Sequence, residues 1–136
     1  MDYWAFLKQE INCRDNMFTF GRTKEVQDRY IKFKSNISNI YSYLIKTLFI
    51  NNQEIVFKDN DFPYKFDCEK DSIKHYLLWI NPKNKRKINA RRINRIISKK
   101  ILDLEFDIVD YIVFKNNTVN KSVETIDHYH VLFRIK

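Results

Sequence analysis

The chain has 136 residues, of which 44% are hydrophobic and 15% aromatic, with a formal net charge of +8. That length supports one ordinary core and excludes two comfortable domains, and the apolar content excludes a disordered chain despite 31% charged residues. One glycine and two prolines leave no low-complexity linker, two cysteines are too few for a disulfide framework, and no apolar run resembles a signal peptide or a membrane span. The expectation is a single cytoplasmic domain over residues 1–136 whose heavy use of Lys, Asn and Ile reflects an AT-rich genome.

Tyr3, Trp4, Phe6, Leu7 and Ile11 mark a short amphipathic helix over residues 2–12. From Thr23, a suitable N-cap, to about Leu48, apolar residues fall at Val26, Tyr30, Phe33, Ile37, Ile40, Tyr41, Leu44, Ile45 and Leu48, which predicts one long helix. Residues 54–58 read as a strand, followed by the turn-like Asp59-Asn60-Asp61-Phe62-Pro63. Residues 74–80 predict a second strand, and Ile88, Ile93, Ile96, Ile97 and Ile101 a second amphipathic helix. Strands at 110–114 and 129–135 complete the reading. Helices first and strands later predict an α+β domain, in which N-terminal helices pack on a mostly antiparallel sheet of about four strands, with one basic helix inserted.

In the last strand side chains alternate between faces. Tyr129, Val131, Phe133 and Ile135 form the core face, which leaves His128 and His130 together on the opposite, more open face beside Leu132 and Arg134. In the second strand His75, Leu77 and Trp79 share a face, so a neighbouring placement of the two strands brings all three histidines to one wall. Paired imidazoles support general acid–base or nucleophilic chemistry. Three of them make a zinc or iron set with an open position for water, and with it a metal-dependent hydrolase, one alternative. Otherwise no cofactor is expected. A hydrogen-bonded pair on a sheet surface is the plain structural reading, because short His-x-His matches are common.

The net charge argues for an anionic partner: a nucleotide or sugar phosphate, or nucleic acid, with no membrane. Lys83 to Lys100 contains no acidic residue, and Arg91, Arg92, Arg95 and Lys99 make the helix over 86–100 a second candidate, a nucleic-acid or acidic-partner surface. Its structural alternative is the solvated face of an amphipathic helix. No Gly-rich phosphate loop, Gly-x-Ser-x-Gly elbow or His-Glu-x-x-His motif occurs.

Four blocks carry a resemblance that covers about residues 24–134. Tyr30-Ile31-Lys32-Phe33-Lys34 with Tyr41-Ser42-Tyr43-Leu44, then Asn60-Asp61-Phe62-Pro63-Tyr64, then Ile73-Lys74-His75-Tyr76-Leu77-Leu78-Trp79, are followed by a fourth. It runs from Val113-Phe114-Lys115-Asn116 through Lys121-Ser122-Val123 to Asp127-His128-Tyr129-His130-Val131. In order and spacing the chain resembles the fungal N-acetylglucosamine-induced protein family, a domain of unknown biochemical function. Asn117 departs from that family's usual Trp and Asp127 from its Glu. The resemblance implies a cytosolic protein linked to an amino sugar and no established reaction. A fainter likeness to histidine-triad nucleotide hydrolases, which carry a third histidine where this chain has Leu132, implies His128 or His130 as nucleophile or base. Together these imply a site in which His75, His128 and His130 supply the chemistry and Asn60, Asp61, Asn116, Ser122 and Arg134 hold polar or phosphate groups. The ligand class would be a nucleotide, sugar phosphate or nucleotide sugar.

Overall fold

The computed structural model describes residues 2–12, 21–66, 68, 72–83, 88–115 and 126–136. The described elements run α1 (Tyr3–Asn12), α2 (Lys24–Ser35), α3 (Ile40–Leu48), β1 (Ile55–Asp59), β2 (Ile73–Ile80), α4 (Ala90–Ile101), β3 (Ile108–Phe114) and β4 (His128–Ile135). The fold is α+β, as the pattern predicts, with a four-stranded sheet in the order β1-β2-β4-β3 and every neighbouring pair antiparallel. The last strand thus enters between β2 and β3 and becomes central.

The long helix expected from Thr23 to Leu48 is two helices. Thr23 does cap α2, its side chain accepting from Val26 N–H, but Asn36 ends that helix. Asn39 then starts α3 in an extended conformation, its side chain accepting from Ser42 N–H at 3.1 Å. Ser35, Asn36, Ser38 and Asn39 offer the backbone side-chain partners that compete with helical bonds, which outweighs an unbroken apolar stripe. The break lets Phe33 of α2 and Tyr43 of α3 meet edge to face, ring centroids 5.5 Å apart.

The sheet is covered on both faces. Ile93 and Ile97 of α4 pack with Tyr76, Leu78, Val131 and Phe133 on one side, where Phe57 stacks on Tyr76 at 5.0 Å. On the other side Trp4, Leu7 and Ile11 of α1 pack with Ile112, Phe114 and Leu132, while Leu44 and Phe49 pack with Trp79 and Ile126. Full burial of one such side chain stabilises the fold by about 1.5–3 kcal/mol. Asp110 of β3 ties α1 down: it accepts from Trp4 Nε1–H at 2.9 Å and pairs with Lys8. Burial alone would raise the Asp110 carboxyl, but these partners hold it below the usual carboxylate range.

The expectation that His128 and His130 lie on an open face is therefore corrected. With α1 and α3 laid over that face, His75 and His130 are each 3% exposed and His128 9%. Alternation gives the face correctly; it does not say that helices would cover it.

Candidate functional site

β2 and β4 are hydrogen-bonded neighbours, in a register that sets Leu77 opposite His130 and Trp79 opposite His128. His75 lies opposite Leu132, one step along the same face from His130. Diagonal neighbours on an antiparallel pair are within reach of ring side chains. His75 and His130 accordingly meet, Nε2 of the first 2.7 Å from Nδ1 of the second. The wall of three histidines predicted from alternation is present, within a ring of aromatics. His130 lies nearly parallel to Tyr64 at 5.3 Å and to Phe114 at 5.1 Å between centroids, and His128 packs against Trp79 at 4.5 Å.

The tautomers follow from the hydrogen-bond network. Tyr64 N–H donates to His75 Nδ1 at 3.2 Å, so a neutral His75 carries its proton on Nε2. That Nε2–H donates to His130 Nδ1, and a neutral His130 must then carry its own proton on Nε2. The reverse arrangement would protonate His75 on Nδ1 and set that N–H against the Tyr64 N–H, donor facing donor. The Asn60 side-chain amide lies 3.4 Å from the His75 ring, while its oxygen accepts from Phe62 N–H at 2.9 Å, holding the turn after β1 against the histidines. Both rings are kept neutral. Burial, then the Arg22 charge and His128, hold His75 well below the usual imidazole range. Burial, then His75, His128 and Arg22, do the same to His130. His128 donates from Nδ1 to the Ile126 carbonyl at 3.0 Å, which makes Nε2 the basic nitrogen of its neutral form.

The His130 Nε2–H at the end of this chain is buried and has no hydrogen-bond partner among the described residues. His130 is one of the residues lining a cavity of about 170 Å³. Around it stand Trp79, Leu77 and His128 from the sheet, Tyr30 and Phe33 from α2, Tyr43 and Leu44 from α3, and Asn60 and Phe62 from the turn after β1. Arg22, Lys58, Asp59 and Asp61 supply its charges. Lys58 and Asp61 pair with each other at 3.3 Å. Burial, and after it the Asp61 charge, raises the Asp59 carboxyl toward its neutral form.

Five of the sequence-predicted residues are thus together: His75, His128, His130, Asn60 and Asp61. Arg134 is not with them. It shares their sheet face but lies at the far end of β4, 3.7 Å from Asp2, beside a separate hollow. Asn116 and Ser122 lie outside the described residues. Among the described residues no group of three or more His, Cys, Asp or Glu is arranged to hold a metal ion. The nitrogens with which His75 and His130 face each other are taken up by their mutual hydrogen bond, and His75 Nδ1 by Tyr64. On α4, Arg91, Arg95 and Lys99 are exposed, and Arg92 bonds Glu54 at 2.7 Å. α4 covers the sheet face opposite the cavity.

Residue patterns missed Arg22, Trp79 and Tyr64. Trp79 was legible, since it alternates in step with His75. Arg22 stands alone before an N-cap, with nothing local to mark it.

Comparison with known proteins places the chain more broadly. A family described as "Protein of unknown function (DUF3605)" matches residues 41–134, which include β1 to β3, β4 as far as Arg134, and all three histidines. Among curated proteins none matches. A solved structure described as "Crystal Structure of HTC1" is similar over 98% of this chain and 85% of that one, with a TM-score of 0.63 and 18% identity. At that identity the likeness concerns the fold. No described helix is long and apolar enough to cross a membrane.

Proposed function

The chain belongs to this DUF3605 family of proteins of unknown function, and from that premise we propose that its cavity binds a sugar phosphate or mononucleotide on which the histidines perform acid–base chemistry. The observation that carries the reading is the buried His130 Nε2–H, which has no hydrogen-bond partner among the described residues. Buried polar groups in native proteins are nearly always hydrogen-bonded, and an orphaned donor costs about 1–3 kcal/mol. A chain of donors runs from Tyr64 through His75 to His130, a residue that lines the cavity, and ends on an N–H that a ligand oxygen would accept.

The roles divide by tautomer. His130, held neutral, donates to and polarises a ligand oxygen; its Nε2 already carries a proton and is not a nucleophile. His128 is the base, its Nδ1–H fixed on Ile126 O. His75 positions His130. Trp79, Phe33 and Phe62 offer flat apolar surface to a sugar or base. The volume, below the ~300–1,000 Å³ usual for drug-sized ligands, favours a monosaccharide- or nucleoside-sized body over a nucleotide sugar. The resemblance of the four sequence blocks to the N-acetylglucosamine-induced family adds an amino-sugar phosphate to the first compounds to try, in a cytoplasmic setting.

Thermal-shift titration of the protein with a panel of sugar phosphates, amino-sugar phosphates and mononucleotides tests this. A ligand present at about 100 times its Kd stabilises by about 2.7 kcal/mol, a shift of several degrees. The expected result is a shift in the wild type that is lost in His130→Ala and reduced in His128→Ala. Equal shifts in wild type and both variants, or none with any compound, would sink the reading.

A further inference from the structure

We infer that Arg22 is the anchor for the ligand's phosphate, so that the cavity has an anion end at Arg22 and a neutral-oxygen end at His130; this rests on the cavity being a ligand site. Arg22 precedes α2 and lines the same cavity as His130. Its guanidinium carbon sits 4.2 Å from the Tyr30 ring centroid and 5.3 Å from that of Tyr64. Nε donates to the Phe62 carbonyl at 2.8 Å, and Nη1 reaches Gln27 Oε1 at 3.4 Å. All these partners are uncharged. They fix the plane of the side chain and bring no negative charge to it.

Neither carboxylate at the cavity pairs with Arg22: Asp61 pairs with Lys58 at 3.3 Å, and Asp59 makes no ion pair with that arginine. Arg22 makes no ion pair among the described residues. A guanidinium has five N–H donors in a rigid fork that matches phosphate oxygens two at a time, and aromatic faces pre-order it at small further entropic cost. The same charge depresses both buried imidazoles, so it is felt across the cavity.

The consequence is chemical. With the phosphate held at Arg22, His130 and His128 address a hydroxyl, carbonyl or ring oxygen elsewhere on the ligand, not the phosphorus. Arg22, and not Arg134, sets the requirement for a phosphorylated ligand.

Calorimetric titration with matched pairs, glucose 6-phosphate against glucose and AMP against adenosine, on wild type, Arg22→Gln, Arg22→Lys and His130→Ala decides this. The expected result is that Arg22→Gln weakens the phosphorylated member about 10–100-fold, in line with loss of charged hydrogen bonds, and leaves its unphosphorylated partner unchanged. Arg22→Lys, which keeps the charge and loses the fork, should fall between, and His130→Ala should weaken both members alike. If His130→Ala weakens binding but Arg22→Gln acts equally on both members or on neither, the Arg22 assignment is overturned and the cavity reading stands. If wild type binds no member, or His130→Ala changes nothing, the cavity reading fails and takes this inference with it.

Discussion

At the scale of single residues, the site is defined by protons. Tyr64 N–H settles His75, His75 settles His130, and each ring is kept uncharged by burial and, after it, by the neighbouring imidazoles and the Arg22 charge. The pH dependence of stability follows with a definite sign. Both folded-state values are lowered, so the unfolded chain binds more protons once the pH drops below about 6.5, the free imidazole value. The contribution is fully present above that pH and is lost on acidification toward the depressed folded values. Two such groups give a slope of roughly 2 kcal/mol per pH unit between pH 6.5 and 5. Asp110, also lowered, has the carboxylate sign, and its loss falls at lower pH. Urea unfolding at a series of pH values should show the midpoint falling through this window in the wild type and a much flatter profile in the His75→Gln/His130→Gln double variant. An unchanged midpoint from pH 7 to 5 in the wild type would contradict neutral burial of the pair.

At the scale of elements, the break between α2 and α3 shapes the cavity. It turns α3 so that Tyr43 and Leu44 face Phe33 and Tyr30 around the cavity. Asn39 holds that turn through Ser42 N–H. Asn39→Ala should cost about 1 kcal/mol in thermal or urea unfolding, the usual loss for an N-cap, and Asn39→Asp or Asn39→Ser much less. The element scale is also where sequence reading meets its limit. Strand positions, face alternation and the α+β class are all legible, because a period of two and a period of 3.6 are written in the order of apolar residues. The helix break was present as Ser35, Asn36, Ser38 and Asn39, but a continuous apolar stripe masked it. The burial of the histidines could not be read from β4 itself, because it depends on helices more than 80 residues away in the chain, such as Leu44 of α3 and Trp4 of α1.

For the whole molecule, the sheet separates two surfaces of different kinds. One carries α4, with Arg91, Arg95 and Lys99 exposed and Ile93 and Ile97 buried, the ordinary arrangement of an amphipathic helix. The other holds the histidine-lined cavity beneath α2 and α3. The region matched by the family, residues 41–134, contains the three histidines, Trp79, Asn60 and Tyr64, while Arg22 and Tyr30 come from the preceding segment. The candidate site is thus assembled from both parts of the chain, which is why its polar end at Arg22 was invisible to local patterns.

The most direct test of the central claim is a long-range proton–nitrogen NMR spectrum of the histidine rings at pH 7, followed through titration with sugar phosphates and mononucleotides. The expected result is a neutral His130 ring protonated on Nε2, with that N–H resonance moving to saturation as a ligand binds. A His130 protonated on Nδ1 or on both nitrogens, or an Nε2–H resonance unmoved by every compound, would contradict it.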